Sequence, residues 1–123
     1  MRLRTRPRAA MTLAAGDIVW AEFDPVRGSE QAGRRPALVV SMEPYNTVSR
    51  RAFVCPITSR LREWPYNVPL PEGTKTRGMV LVDQMRAVDQ AARIFGLIER
   101  APEGLLAEVR GRLLTLLGIS LAS

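Results

Sequence analysis

Between Gly16 and Arg100 the chain is cut into six short runs of strand-forming residues, each closed by turn residues, and one run of helical spacing follows. "GDIVWAEFDP" opens on Gly16 and Asp17, fills with β-branched and aromatic residues, and closes on Asp24-Pro25. "PALVVSMEP" is almost continuously apolar, which predicts a strand buried on both faces. "RAFVCPITS" is a third run, and its Pro56 predicts an edge or bulged position. "YNVPLP", "GMVLVDQMRAV" and "ARIFGLIER" complete the set. From Ala101 to Leu117 the pattern changes: Pro102 and Glu103 suit a first helical turn, and Leu106, Val109, Leu113 and Leu116 recur at helical spacing. Runs this short have to wrap around one core. The expectation is a mainly β fold with one α element, a small, strongly bent antiparallel barrel closed by a C-terminal helix.

The 123 residues suffice for one domain with a real core, and 46% hydrophobic with 24% charged residues excludes a disordered chain. No window is apolar over the roughly 18 residues of a membrane span, which predicts a soluble protein. Residues 1–15 are basic and free of acid, with an apolar stretch too short for a secretory signal. They are expected to be a disordered extension, with Met11 as the true start and residues 16–123 as the domain. The net charge of +6 points to an anionic partner. Removing Arg2, Arg4, Arg6 and Arg8 from the 18 basic residues leaves 14 against 12 acidic ones, so the domain is only mildly basic. Its cations are arginines except for Lys75, and arginine favours planar, bidentate contact with phosphate. The single cysteine, Cys55, excludes internal disulfides, and the lack of histidine excludes the usual zinc sets, Ser-His and Cys-His pairs and His-based acid/base cleavage.

Between the first two strands lies "GSEQAGRRP", long for a hairpin and dense in polar groups. Gly28 and Gly33 let the backbone bend and approach a ligand, Ser29 and Gln31 offer neutral hydrogen bonds, and Arg34 and Arg35 offer guanidinium forks. On local grounds a solvated charged loop explains it equally well. Strand alternation sends Arg34 and Arg35 to opposite faces, so both are not expected to reach one phosphate. Trp64 and Tyr66 are candidates for stacking on unpaired bases, the alternative being that Trp64 packs under its own loop. Trp20 and Phe23 fit a core or a dimer interface.

"GDIVWAEFDP", "GSEQAGRRPALVV", "VCPITS" and "GMVLVDQMRAVD", in this order, resemble the successive blocks of the MazF/PemK toxins, the RNA-cleaving members of toxin–antitoxin pairs. The resemblance runs from Gly16 to about Ile119. It implies an SH3-like antiparallel β-barrel with a C-terminal helix, the MazF/PemK/CcdB-like toxin fold, working in the cytoplasm as a homodimer and restrained by a MazE-like antitoxin. The implied activity is sequence-specific cleavage of single-stranded mRNA without metal or other cofactor: the substrate's 2′-hydroxyl attacks the adjacent phosphate and leaves a cyclic phosphate and a 5′-hydroxyl. The family's catalytic arginine, immediately before the proline of the second strand, falls on Arg35. Its threonine partner in the "P-I-T-S" block falls on Thr58, with Ser59 beside it. Arg35 would donate to the nonbridging oxygens, since a guanidinium is a poor base near neutrality. Glu30 and Gln31 lie where the family's loop covers the RNA.

Asp83, Gln84 and Arg86 of "DQMRAVD" join the RNA-binding set by the same resemblance, although Asp83 and Arg86 serve equally well as a structural ion pair. One branch of the family uses an Arg-x-Asp pair here and a histidine in the first loop; this sequence has Leu81-Val82-Asp83 and Ser29. Both departures place it with the branch that relies on the arginine and threonine. Two alternatives stand beside this reading: a toxin of the same fold that poisons DNA gyrase without catalysis, and a degenerate homologue that only binds. The chain's end, "LLGISLAS", lacks the tryptophan-glycine signature of the gyrase poisons.

Overall fold

The computed structural model describes residues 12–23 and 33–121. Seven strands form one antiparallel sheet: β1 (Asp17–Glu22), β2 (Arg34–Val39), β3 (Arg51–Thr58), β4 (Asn67–Pro69), β5 (Met79–Leu81), β6 (Arg86–Asp89) and β7 (Ile94–Arg100). Among the described residues three helices punctuate them: α1 (Glu43–Ser49), the short α2 (Gln90–Arg93) and α3 (Glu103–Leu117). The sheet runs β4-β5-β3-β2-β1-β7, with β6 paired to the first half of β3. The antiparallel sheet followed by a C-terminal helix is the expected architecture; among the described residues strand pairing does not close the sheet.

Strand β3 takes two partners in turn on one side. Its first half, Arg51 to Val54, pairs with β6, and its last two residues, Ile57 and Thr58, pair with β5. The run "GMVLVDQMRAV" is therefore two strands rather than one, broken by a 3-10 turn at Val82–Gln84. Pro56 sits at the handover. The Phe53 carbonyl accepts the Val40 N–H, 2.9 Å, on the β2 side. By alternation, Pro56 turns its nitrogen to the other side, between the two partners, where no donor is needed. β3 is a central strand, and its proline marks a break in pairing rather than an edge.

Both faces of the central strands are covered, as the unbroken run of β2 predicts. On one face Ile18, Leu38, Cys55 and Ile57 meet Val68, Val80 and Val82, and Leu105 and Val109 of α3 cap them. On the other face Val19, Ala21, Ala37, Val39, Ala52 and Val54 form a small-residue core with Leu13 and Val88. The apolar stripe of α3 is centred on Leu105 and Val109, one position before the expected Leu106, while Leu116 is left largely exposed.

Helix α1 replaces the tail of the expected second strand. Pro44 is in its first turn, and Arg50, in the left-handed conformation, ends it by returning its N–H to the Asn46 carbonyl. No apolar stripe announces this helix: Val48 is 85% exposed. A buried amide holds it instead, Asn46 donating through Nδ2 to the carbonyls of Leu13 (2.9 Å) and Ser41 (3.0 Å). At the start of the chain, Asp17 accepts from the Ala14 N–H and pairs with Arg100 at 2.8 Å, tying β1 to β7.

Candidate active site

The two central candidates stand on neighbouring strands, Arg35 near the start of β2 and Thr58 at the end of β3. Their ladder pairs Val39 with Val54, Leu38 with Cys55 and Ala37 with Pro56. The ladder ends there; Arg35 lies two residues before Ala37 and Thr58 two after Pro56, so alternation turns both toward the face of the small-residue core. β1 and β3 run toward this end and β2 and β6 start from it, so Phe23 and Arg86 lie at the same mouth. Gly28, Ser29, Glu30 and Gln31 lie outside the described residues.

Arg34 takes the opposite face, where its guanidinium lies 3.8 Å from the centre of the Phe95 ring. Arg35 is exposed, opposite Ala21 of β1. Thr58 is half-buried, and its Oγ1 accepts the Arg60 N–H at 3.2 Å. Its placement depends on a residue that sequence reasoning passed over. Gly78 has φ +124°, and a Cβ there would lie 1.9 Å from the Thr58 carbonyl oxygen. Only glycine lets the backbone before β5 come this close to the end of β3. The glycine opening "GMVLVD" was the available signal, and it reads locally as a turn.

After Thr58 the chain alternates between two depressions. Thr58, Arg60 and Arg62 line a cleft of about 410 Å³ with Trp64, Asn67, Asp83 and Gln84. Ser59 and Leu61 line a separate groove of about 600 Å³ with Arg77 and Gly78. Ser59 is thus beside Thr58 in sequence but not in its cleft. Trp64 is not packed beneath its loop: it is half exposed, its Nε1 donates to Asp83 Oδ2 at 2.9 Å, and Tyr66 meets it edge-on with ring centres 5.9 Å apart. Asn67 is buried and ties the intervening loop down by donating to the Arg62 carbonyl at 3.3 Å. Arg62 and Asn67 were not expected at the site, because nothing in their local sequence distinguishes them from loop residues.

Arg86 belongs to the other side of the mouth, its guanidinium 5.4 Å from the Phe23 ring centre, in a depression shared with Glu22, Arg51 and Asp89. Cys55 is excluded as a nucleophile. Its thiol is fully buried, and burial, aided by the charge of Asp83, pushes its pKa up to about 12. What the mouth offers is a guanidinium fork and a hydroxyl on one face, a combination suited to holding a phosphate diester and stabilising added negative charge on it.

The family described as "PemK-like, MazF-like toxin of type II toxin-antitoxin system" matches residues 14–117. The endoribonuclease PemK of Escherichia coli is 39% identical over 114 residues, covering 89% of this chain and 86% of the relative. The endoribonuclease toxin MazF of E. coli K12 is 40% identical over 78 residues, 63% of this chain and 69% of the relative. Among solved structures, MazF in a MazE-MazF crystal from Deinococcus radiodurans superposes with a TM-score of 0.80 at 44% identity, covering 89% of this chain and 98% of that one. With the family matched over nearly all of its described residues, this chain belongs to the PemK-like, MazF-like toxins of type II toxin–antitoxin systems.

Proposed function

We propose that this chain is an endoribonuclease toxin that cleaves single-stranded mRNA at the mouth formed by Arg35 and Thr58. The observation that supports the reading is the antiparallel β2–β3 ladder, beyond whose last pair, Ala37 with Pro56, Arg35 and Thr58 each lie two residues further toward the same end. Two guanidinium N–H groups match two nonbridging oxygens and gain strength as negative charge builds on phosphorus. Thr58 holds the same phosphate through its hydroxyl. The substrate's 2′-oxygen forms a bond to phosphorus, the bond to the 5′-oxygen breaks, and the products are a 2′,3′-cyclic phosphate and a 5′-hydroxyl. Neither step requires a metal. The relatives above are named endoribonucleases, which leaves the gyrase-poisoning alternative without support.

The partner that restrains the toxin is a MazE-like antitoxin, as in the D. radiodurans complex. Messenger RNA as substrate places the protein in the cytoplasm; among the described residues no helix is long and apolar enough to cross a membrane. A homodimer is supported by exposed Trp20, Phe95 and Leu97, which stand on β1 and on the edge strand β7.

The test is to incubate the protein with a long unstructured RNA in excess EDTA and sequence the fragment ends beside the Arg35→Ala variant. The expected result is cutting at one recurring short motif with 5′-hydroxyl ends, absent in the variant. A folded wild-type protein that leaves the RNA intact, or an Arg35→Ala variant that cuts normally, overturns the reading and favours a chain that only binds.

A further inference from the structure

The cleft beside Thr58 has a wall and a reading group, and both are fixed. The 3-10 turn hangs from Val82, fully buried in the helix-capped core, whose N–H donates to the Tyr66 carbonyl at 2.9 Å. That anchor holds Asp83 and Gln84 at the rim of the cleft. Asp83 Oδ2 accepts the Trp64 indole N–H and fixes the ring's rotation, while Tyr66 braces it edge-on. With the Trp64 side chain half exposed, the result is a rigid aromatic surface standing beside a carboxylate.

Such a surface suits the face of an unpaired base, because every base can stack on it. Stacking alone carries no sequence information. The carboxylate does: ionised, it only accepts hydrogen bonds, and Oδ1 is an acceptor beyond the one engaged by Trp64. Adenine, cytosine and guanine each carry an exocyclic amino group that donates to it. Uracil has none, and its single N3–H lies between two carbonyl oxygens that a carboxylate repels.

Resting on the endoribonuclease reading above, we propose that the Trp64–Asp83 pair forms a single-base pocket next to the scissile phosphate that selects an amino-bearing base and rejects uracil. Trp64 supplies the stacking surface and Asp83 the selection. Because the indole N–H positions the carboxylate, the two residues act as one device. The pocket predicts one position of the cleavage motif, at a constant offset from the cut, from which uridine is excluded.

The test begins with a randomised single-stranded RNA pool cut by the wild-type protein and by Asp83→Asn and Trp64→Phe. The wild type should exclude uridine at one position. Asp83→Asn, which presents a donor as well as an acceptor, should admit uridine there by about tenfold or more while the rest of the motif stays unchanged. Trp64→Phe keeps a stacking face but lacks the N–H, and should relax the same position in the same direction. In the best-cut RNA, replacing the base at that position by its analogue without the amino group should reduce wild-type cleavage about tenfold and leave Asp83→Asn nearly indifferent. A wild type that accepts uridine at every position, or an Asp83→Asn variant with an unchanged motif, overturns the pocket while the cleavage reading stands. A wild type that cuts no RNA overturns both.

Discussion

The two faces of the central sheet are built from different residues. The face under α3 is filled by isoleucine, leucine and valine, and Leu105 and Val109 close it. The opposite face is lined by Ala21, Ala37 and Ala52 between valines, and its end carries Arg35, Thr58, Arg86 and Phe23. Large side chains bury the most apolar area and supply stability. Small ones keep the layer thin and leave the end of the same strands to polar groups. One sheet thus divides its work: the helix-capped face holds the fold, and the small-residue face ends in the candidate site. The divide is separable by mutation.

Truncation under the helix should have the largest effect on stability. Leu105→Ala is expected to cost about 2–5 kcal/mol in denaturant unfolding while leaving the rate per folded molecule unchanged. A rate that falls in proportion to stability at saturating folded protein would break the division. Arg35→Lys is the converse change. It keeps the charge and loses the fork, and kcat for RNA cleavage should drop roughly a hundredfold with no shift in Tm. Gly78→Ala crosses the divide, because the added Cβ strikes the Thr58 carbonyl oxygen. A stability loss of about 1–3 kcal/mol is expected together with a fall in kcat, since Thr58 moves with its backbone. If only stability changes, Thr58 does not depend on Gly78.

The smallest effect lies on the edge strand β7. Burial alone would raise the pKa of Glu99, but the N–H of Lys75 and the hydroxyl and N–H of Thr76 outweigh it and hold the carboxyl below its ordinary 4.5. A depressed folded-state pKa contributes stability that is present above 4.5 and is lost as pH falls through the folded value. At this partly exposed, solvent-screened position the contribution is under about 1 kcal/mol. Glu99→Gln should therefore be slightly less stable than the wild type at neutral pH, and the gap should close on acidification. A gap that widens at low pH would show that another group holds the loop before β5.

Much of this fold is legible along the chain because its signals are local. Alternation and turn residues mark β1, β3, β4 and β7, and the unbroken apolar run of β2 announces burial on both faces. Helix α1 is not legible, since it is held by the buried amide of Asn46 bonding to Leu13 rather than by an apolar stripe. The 3-10 turn is hidden in an apolar run, where periodicity has nothing to register. At the site, Arg35 and Thr58 were picked out through motif blocks, and Trp64 by its chemistry. Arg62, Asn67 and Gly78 were not, because each acts through a contact whose partner is supplied by the fold.

The sequence by itself determined most of the strands and the C-terminal helix, the burial of β2, the lack of histidine and of any second cysteine, and the family to which the blocks belong. Only the tertiary structure decided which residues face one another. The β2–β3 ladder brings Arg35 and Thr58 to the same end of the sheet, β3 passes from β6 to β5 around Pro56, and the turn after β5 brings Asp83 to Trp64. The physical reason is range. Propensity and periodicity are properties of neighbouring residues, whereas a site joins residues such as Trp64 and Asp83 that are distant along the chain and meet only when the sheet packs.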